Sequence, residues 1–148
     1  MRTVHHILEH KGGDVVTMGP DETVFAMLEL MARLNIGAVL VLEDERLVGV
    51  VSERDYARGV ILKGRASRDV PLREIMDSAV HVVSPGDRVQ QCMKLMTEHR
   101  VRHLPVVDQG RVVGVVSIGD VVNEIITEQQ TLIADLENYI APGHEFHP

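Results

Sequence analysis

The chain has no tryptophan, and its two tyrosines and two phenylalanines are its only aromatic residues. A core must therefore be aliphatic, and the 45% apolar content supplies enough Val, Leu, Ile and Met to build one. Cysteine occurs once, at Cys92, so no internal disulfide can form and a reducing compartment is the default. Cys92 stands among apolar residues of a helical pattern, where a thiol serves as a small packing group. Cations are scarce: 15 Lys and Arg against 22 Asp and Glu give a formal net charge of −7. That excludes a general nucleic-acid binder, whose affinity needs a basic surface. An anionic ligand would need cations gathered locally. No apolar run approaches the roughly 18 residues of a membrane span. The first residues show no charged segment leading into an apolar signal core. The expectation is a cytoplasmic protein with neither membrane nor nucleic acid as partner. A nucleophile elbow, a P-loop and a dinucleotide glycine fingerprint are also lacking. Asp21-Glu22 and Glu43-Asp44-Glu45 read as turns and not as paired catalytic acids, so catalysis is not expected.

What the chain does have is an internal duplication, the feature to seek before any other. Gly49-Val50-Val51-Ser52-Glu53-Arg54-Asp55 returns as Gly114-Val115-Val116-Ser117-Ile118-Gly119-Asp120, 65 positions later. The offset holds without a gap back to Pro20 and Pro85, through Val24/Val89, Leu30/Leu95, Met31/Met96, Val41/Val106 and Arg46/Arg111. Roughly a third of these pairs are identical, and others exchange one apolar residue for another. Val4, Ile7 and Leu8 are echoed by Leu72, Ile75 and Met76 at an offset of 68, so the first copy carries about three extra residues near Lys11-Gly12-Gly13.

Each copy follows the same order of elements. Val4 to Glu9 reads as a short helix stopped by Gly12-Gly13, and Asp14 to Thr17 as a short strand. Apolar residues at 24, 27, 28, 30, 31 and 34 have helical spacing. Ala38 to Leu42 and Leu47 to Val51, on either side of a polar turn, predict an antiparallel hairpin. Ser52 opens a helix ending near Gly64. The second copy predicts a short helix at Pro71 to Met76, a strand at His81 to Ser84, a helix at Arg88 to His99, strands at Leu104 to Val107 and Val112 to Val116, and a helix from Ser117. That last helix runs to about Tyr139 or Ile140, before Pro142-Gly143. Its apolar face is longer than one small unit needs, which predicts packing against another subunit, most simply in a homodimer. The boundaries are residues 1–66, 67–127 and an extension over 128–148. The fold class is α+β, an α-β-α-β-β-α unit repeated, with two small three-stranded sheets packed about a pseudo-twofold axis so that neither half is left with an uncovered sheet face.

Ser52 and Ser117 stand where helix caps belong, with Asp55 and Asp120 three residues on. A capping box, worth about 0.5–2 kcal/mol per cap, accounts for both pairs by itself. The wider stretches add a second reading. Asn35-Ile36-Gly37-Ala38-Val39-Leu40-Val41 with Leu47 to Asp55, and Val101-Arg102-His103-Leu104-Pro105-Val106-Val107-Asp108 with Val112 to Asp120, resemble the CBS domain. The tandem resembles a Bateman module over nearly the whole chain, most of all the stand-alone CBS-pair proteins of bacteria and organelles.

The resemblance implies a regulatory module that binds an adenosyl ligand and signals to a partner protein by a change of shape or affinity. AMP heads the candidates, followed by NAD and ATP. It implies that each Asp holds the ribose, with the Ser at the phosphate. A helix start suits an anion, and a carboxylate can accept from both ribose hydroxyls. Carried over by position, one site takes Ser52 and Asp55 with Thr17, Ile36, Gly37 and Ala38. The other takes Ser117 and Asp120 with Val82, Val101, Arg102 and His103. Arg102 and His103 fall at positions of basic phosphate contacts. Arg54 is a further phosphate candidate, and its counterpart Gly119 is uncharged, so the two sites are not equivalent. The alternative in a different class is an oligomerisation scaffold whose Ser–Asp pairs only cap helices. His6 and His10 have the i, i+4 spacing of metal ligands, but no third ligand with partner spacing follows, and His144 and His147 lie in the tail, so no metal is expected.

Overall fold

The computed structural model describes residues 2–140. Pro142-Gly143, His144, His147 and the rest of the tail over residues 141–148 lie outside the described residues. The first half contains α1 (Val4–Lys11), β1 (Thr17–Met18), α2 (Val24–Leu34), β2 (Ala38–Glu43), β3 (Arg46–Ser52) and α3 (Glu53–Tyr56). The helix of α3 continues as a π turn over Ala57–Ile61. Two 3₁₀ turns, Ser67–Asp69 and Leu72–Glu74, lead into α4 (Val89–His99), β4 (His103–Asp108), β5 (Arg111–Ser117) and α5 (Ile118–Tyr139).

The local chemistry of the two copies matches at the helix ends and hairpins but not at the start of α2 and α4, where Thr23 caps with its side chain and Arg88 does not. The Thr23 hydroxyl accepts from Ala26 N at 3.1 Å and starts α2. Asn35 and Arg100 end α2 and α4 in the left-handed region, at φ 53° and 55°. Both hairpins turn through two residues of positive φ, Asp44-Glu45 and Gln109-Gly110, the backbone twist that suits a tight hairpin. Both carry a bulge at the same place, Val41/Leu42 and Val106/Val107.

The sheets differ in one respect. β1 pairs parallel to β2, which pairs antiparallel to β3. The strand expected at His81 to Ser84 shrinks to a single bridge between Val83 and Val106, leaving β4 and β5 as a two-stranded sheet. The reason is Pro105. In the first half Leu40 N donates to Val16 O at 3.1 Å. Its counterpart Pro105 has no N–H to give, so the third strand loses that rung.

The long helix expected from Ser52 also differs, since it turns π after four residues. Leu62 N reaches back five residues to Ala57 O. Within that turn Gly59 lies against Ile75, so close that a Cβ there would stand 2.7 Å from Ile75 Cγ2.

Two aliphatic cores result, each completed by the leading segment of the other copy. Val4 and Ile7 of α1 are buried with Val89, Cys92, Met96, Leu104 and Val116 of the second copy. Val70 and Leu72 are buried with Val24, Met27, Val39 and Val51 of the first. The exchange is hydrogen-bonded in matching pairs. Val4 N donates to Asp87 O and Leu72 N to Glu22 O, both at 2.9 Å. His5 N reaches Pro85 O at 2.9 Å, and Arg73 N reaches Pro20 O at 2.8 Å. Packed halves and sequence halves therefore differ by this swap of leading segments, which locks the repeats into one body.

Strand glycines make room for the swapped segments. A Cβ on Gly49 would meet Met76 Sδ at 2.7 Å, and one on Gly114 would meet Leu8 Cδ2 at 2.6 Å. Two of the three histidines of α1 are tied up locally: His6 Nδ1 accepts from Thr3 N at 2.9 Å, and His5 pairs with Glu9 at 2.6 Å. Among the described residues, no group of three or more His, Cys, Asp or Glu is placed to hold a metal ion, and no helix is long and apolar enough to cross a membrane.

Candidate functional site

The end of β3 delivers Ser52 and the first turn of α3 delivers Asp55. Ser52 N and Oγ both donate to Asp55 Oδ2, at 2.8 and 3.0 Å, and Asp55 N donates back to Ser52 Oγ at 3.4 Å. The capping box is thus present. Asp55 is only half-buried, and no cation is paired with it among the described residues. The second box repeats this geometry, with Ser117 N to Asp120 Oδ2 at 2.8 Å and Asp120 N to Ser117 Oγ at 3.2 Å. Asp120 does have a cationic partner: Lys11 Nζ lies 2.7 Å from Oδ2.

Ser52, Arg54 and Asp55 open onto a cavity of about 520 Å³ that lies between the two copies. Gly37 lines it too. Its other wall is not the first copy's own Thr17, Ile36 and Ala38, but Val101, Arg102 and His103 of the second copy. Strand-start residues of the second copy thus line the cavity onto which Ser52 and Asp55 of the first copy open, whereas the sequence reading groups them with Ser117 and Asp120. Gly37 is the point of closest approach, since a Cβ there would lie 3.9 Å from the His103 ring. Ser117 and Asp120 do not reach this cavity. Thr17 forms the start of β1, Ile36 packs against the first core, Ala38 at the start of β2 pairs with Ser52 at the end of β3, and Val82 is exposed at the surface.

Several lining residues were missed by sequence reasoning. Arg58 follows Arg54 by one helical turn, a spacing that could have been noticed. Arg100 could not, because it is brought in by the left-handed end of α4. His81 and His99 also line the cavity, stacked with ring centroids 3.6 Å apart and planes 13° from parallel.

The electrostatics run against the chain's overall charge. Arg54, Arg58, Arg100 and Arg102 converge on the cavity, and the same four line an adjoining cavity beyond it. None of them has a carboxylate partner among the described residues. Arg54 Nη1 instead donates to Arg100 O at 3.0 Å. The carboxylates on the wall are Glu53, Asp55 and Asp77. Burial, followed by the charge of Lys11, holds the His103 imidazole below its ordinary value, while Asp120 and Glu53 pull it the other way. Burial alone would raise the Asp120 carboxyl, but hydrogen bonds from Lys11 and from the Ser117 backbone outweigh it and hold the group below its ordinary value. Chemically, the cavity lining offers a carboxylate acceptor at Asp55, guanidinium forks, and small or aliphatic groups at Gly37, Val80 and Val101.

Known proteins of the same build were found by sequence and by structure. The CBS domain-containing protein CBSX3, mitochondrial, of Arabidopsis thaliana is 34% identical over 96% of this chain and 73% of its own length. A CBS-domain protein from Burkholderia ambifaria is 44% identical, with a TM-score of 0.83 over 86% of this chain and 96% of its own. The CBS domain pair of protein MJ0100, solved with 5′-methylthioadenosine and S-adenosyl-L-methionine, has a TM-score of 0.75 over 86% of this chain and 98% of its own, and at 21% identity shows the fold alone. The family model for the CBS domain matches twice, at residues 6–61 and 72–127, the two copies set out above, and the chain belongs to the CBS-domain family as a tandem pair.

Proposed function

We propose that this CBS pair is a regulatory module that binds an adenine nucleotide, AMP-like or NAD-like, in the cavity between its repeats, and passes the bound state to a partner protein. The observation that carries the reading is the meeting of a half-buried carboxylate, Asp55, with four arginines that lack carboxylate partners among the described residues, in a chain of net charge −7. Asp55 would accept from the two ribose hydroxyls through its free lone pairs. Ser52 and the guanidinium groups of Arg54 and Arg58 would hold phosphate, with Arg102 and His103 on the facing wall. Gly37 and Val101 would border the base. Each charge-assisted hydrogen bond contributes about 1.5–3 kcal/mol. The fold of MJ0100 holds adenosyl ligands, which supports the fold's capacity for one; the residues of this cavity supply the assignment.

Ligand affinity that differs between two arrangements of the repeats would generate the signal. The end of α5 exposes Leu132, Ile133, Leu136 and Ile140. That apolar face supports a homodimer in which α5 contributes the contact. The second reading, a scaffold that binds nothing, is favoured by one observation: both Ser–Asp pairs form complete capping boxes. It gives no role to the convergent arginines.

The absorbance spectrum of the purified protein separates the two. With no Trp and two Tyr, the protein contributes little at 280 nm. Co-purified nucleotide would give a maximum near 260 nm that is lost on denaturation and filtration, and calorimetry with AMP, NAD and ATP would restore it as measured binding. A clean protein spectrum with no heat for any of the three would leave the scaffold.

A further inference from the structure

We infer that Lys11 decides which of the duplicated carboxylates takes a nucleotide: the chain holds one, in the Asp55 cavity, while the Asp120 side is filled by the chain's own lysine. This rests on the nucleotide reading and adds to it the stoichiometry and the residue that sets it.

The two carboxylates differ in one partner. Asp55 and Asp120 are held by their own serines with the same 2.8 Å main-chain hydrogen bond. Lys11 Nζ donates to Asp120 Oδ2 at 2.7 Å and also to Val115 O at 2.9 Å. The second copy's shorter leading segment has no lysine: after Leu72–Glu74 it runs on through Asp77, Ala79 and Val80, which line the Asp55 cavity. An ammonium therefore reaches Asp120, and none is paired with Asp55 among the described residues.

Lys11 is held there by the fold. It is the last residue of α1, and α1 is the segment exchanged into the second core, anchored by buried Val4 and Ile7 and by Leu8 against Gly114 of β5. The chain then leaves through Gly12 at φ 86°, a region that favours glycine. It passes Gly13 so close to β5 that a Cβ would stand 3.0 Å from Val113 O. This is the stretch in which the first copy is longer than the second. Both charges respond to the contact, since Lys11 is among the causes that hold Asp120 and His103 below their ordinary values.

A ribose offers neutral hydroxyl donors. To use Asp120 it must displace a charged donor, which makes the stronger hydrogen bond, and leave the Val115 carbonyl without its lysine. Asp55 presents no such competitor.

The test is calorimetric titration of the full chain with AMP, and separately with NAD, in parent, Asp55→Ala, Lys11→Met and Lys11→Ala forms. The Met variant keeps the packing of the stem, and the Ala variant opens the space fully. The parent should bind one equivalent, and Asp55→Ala should lose it. Both Lys11 variants should bind two. Adding Asp120→Ala to Lys11→Ala should return the count to one. Two equivalents on the parent, or one on both Lys11 variants, overturns this inference and leaves the nucleotide reading standing. No binding of either nucleotide by any form overturns the reading and the inference together.

Discussion

Arg54 and Arg100 meet across the seam between the repeats, the guanidinium of the first donating to the main-chain carbonyl of the second at 3.0 Å. The contact fixes Arg54 on the cavity wall and caps a carbonyl at the left-handed end of α4. Arg54 itself is exposed, so the contact adds little to stability. Arg54→Ala should therefore separate binding from folding. The prediction is a loss of AMP affinity of roughly tenfold to a hundredfold, from one charge-assisted contact, with a melting temperature close to the parent's. Calorimetry and a thermal melt on the same preparation check both halves.

The paired glycines should not tolerate alanine equally. At Gly114 the obstruction is the end of the Leu8 side chain, a terminal methyl that can rotate. At Gly49 a Cβ would meet not only Met76 Sδ but also its Cγ at 2.9 Å and its Cβ at 3.0 Å, atoms tied to the backbone of the exchanged segment. Gly49→Ala should cost about 1–3 kcal/mol, in the range of overpacked cores, and Gly114→Ala clearly less. Urea unfolding of the two variants gives the comparison, and equal losses would mean that both segments yield alike.

Acid should weaken the fold in two stages. His103 is held below its usual 6.5, chiefly by burial and then by Lys11, so the folded state favours the neutral ring. Its contribution is complete above 6.5 and is lost as pH falls through the lowered folded value. The Asp120 carboxyl is likewise held below its usual 3.8, where the Lys11 and Ser117 hydrogen bonds overcome burial. Its contribution is complete above 3.8 and lost as pH falls through its own folded value. Melting temperature against pH should decline below about 6.5 and again below 3.8. His103→Gln should remove the upper step only.

Cys92 should be inert in the folded protein. It is fully buried in the second core, and burial, then nearby Asp87, pushes its thiol up to about 11. A thiol reagent at neutral pH should find no reactive group in the native protein and one per chain in denaturant. Rapid labelling of the native state would mean that the second core opens readily.

Much of this architecture is legible in the sequence because the duplication repeats its own evidence. Asp55 and Asp120, Pro20 and Pro85, and Asn35 and Arg100 hold equivalent places, and α2, α4, α5 and both hairpins fall close to where apolar spacing sets them, while the helix expected at Pro71 to Met76 is only a 3₁₀ turn. The rest depends on contacts between the copies, which no comparison of one copy with the other can supply. The echo of Leu8 in Met76 marks them as equivalent, but not that each packs against the other copy's strand glycine. Arg102 and His103 are legible as cavity residues; that they line the cavity onto which Asp55 opens is set by how the halves meet. The missing strand at His81 to Ser84 was in principle readable, because Pro105 stands where Leu40 donates a backbone hydrogen bond. In the sequence Lys11 stands only beside the extra residues Gly12-Gly13; the exchanged helix is what carries it to Asp120.

The account stands most directly on the Asp55 carboxylate as a ligand group. Calorimetric titration of nucleotide-free protein with AMP, repeated on Asp55→Ala, measures it. The account predicts saturable binding by the parent and its loss in the variant, with unfolding shifted by no more than the roughly 0.5–2 kcal/mol of a helix cap. AMP binding of equal affinity in both proteins would contradict it.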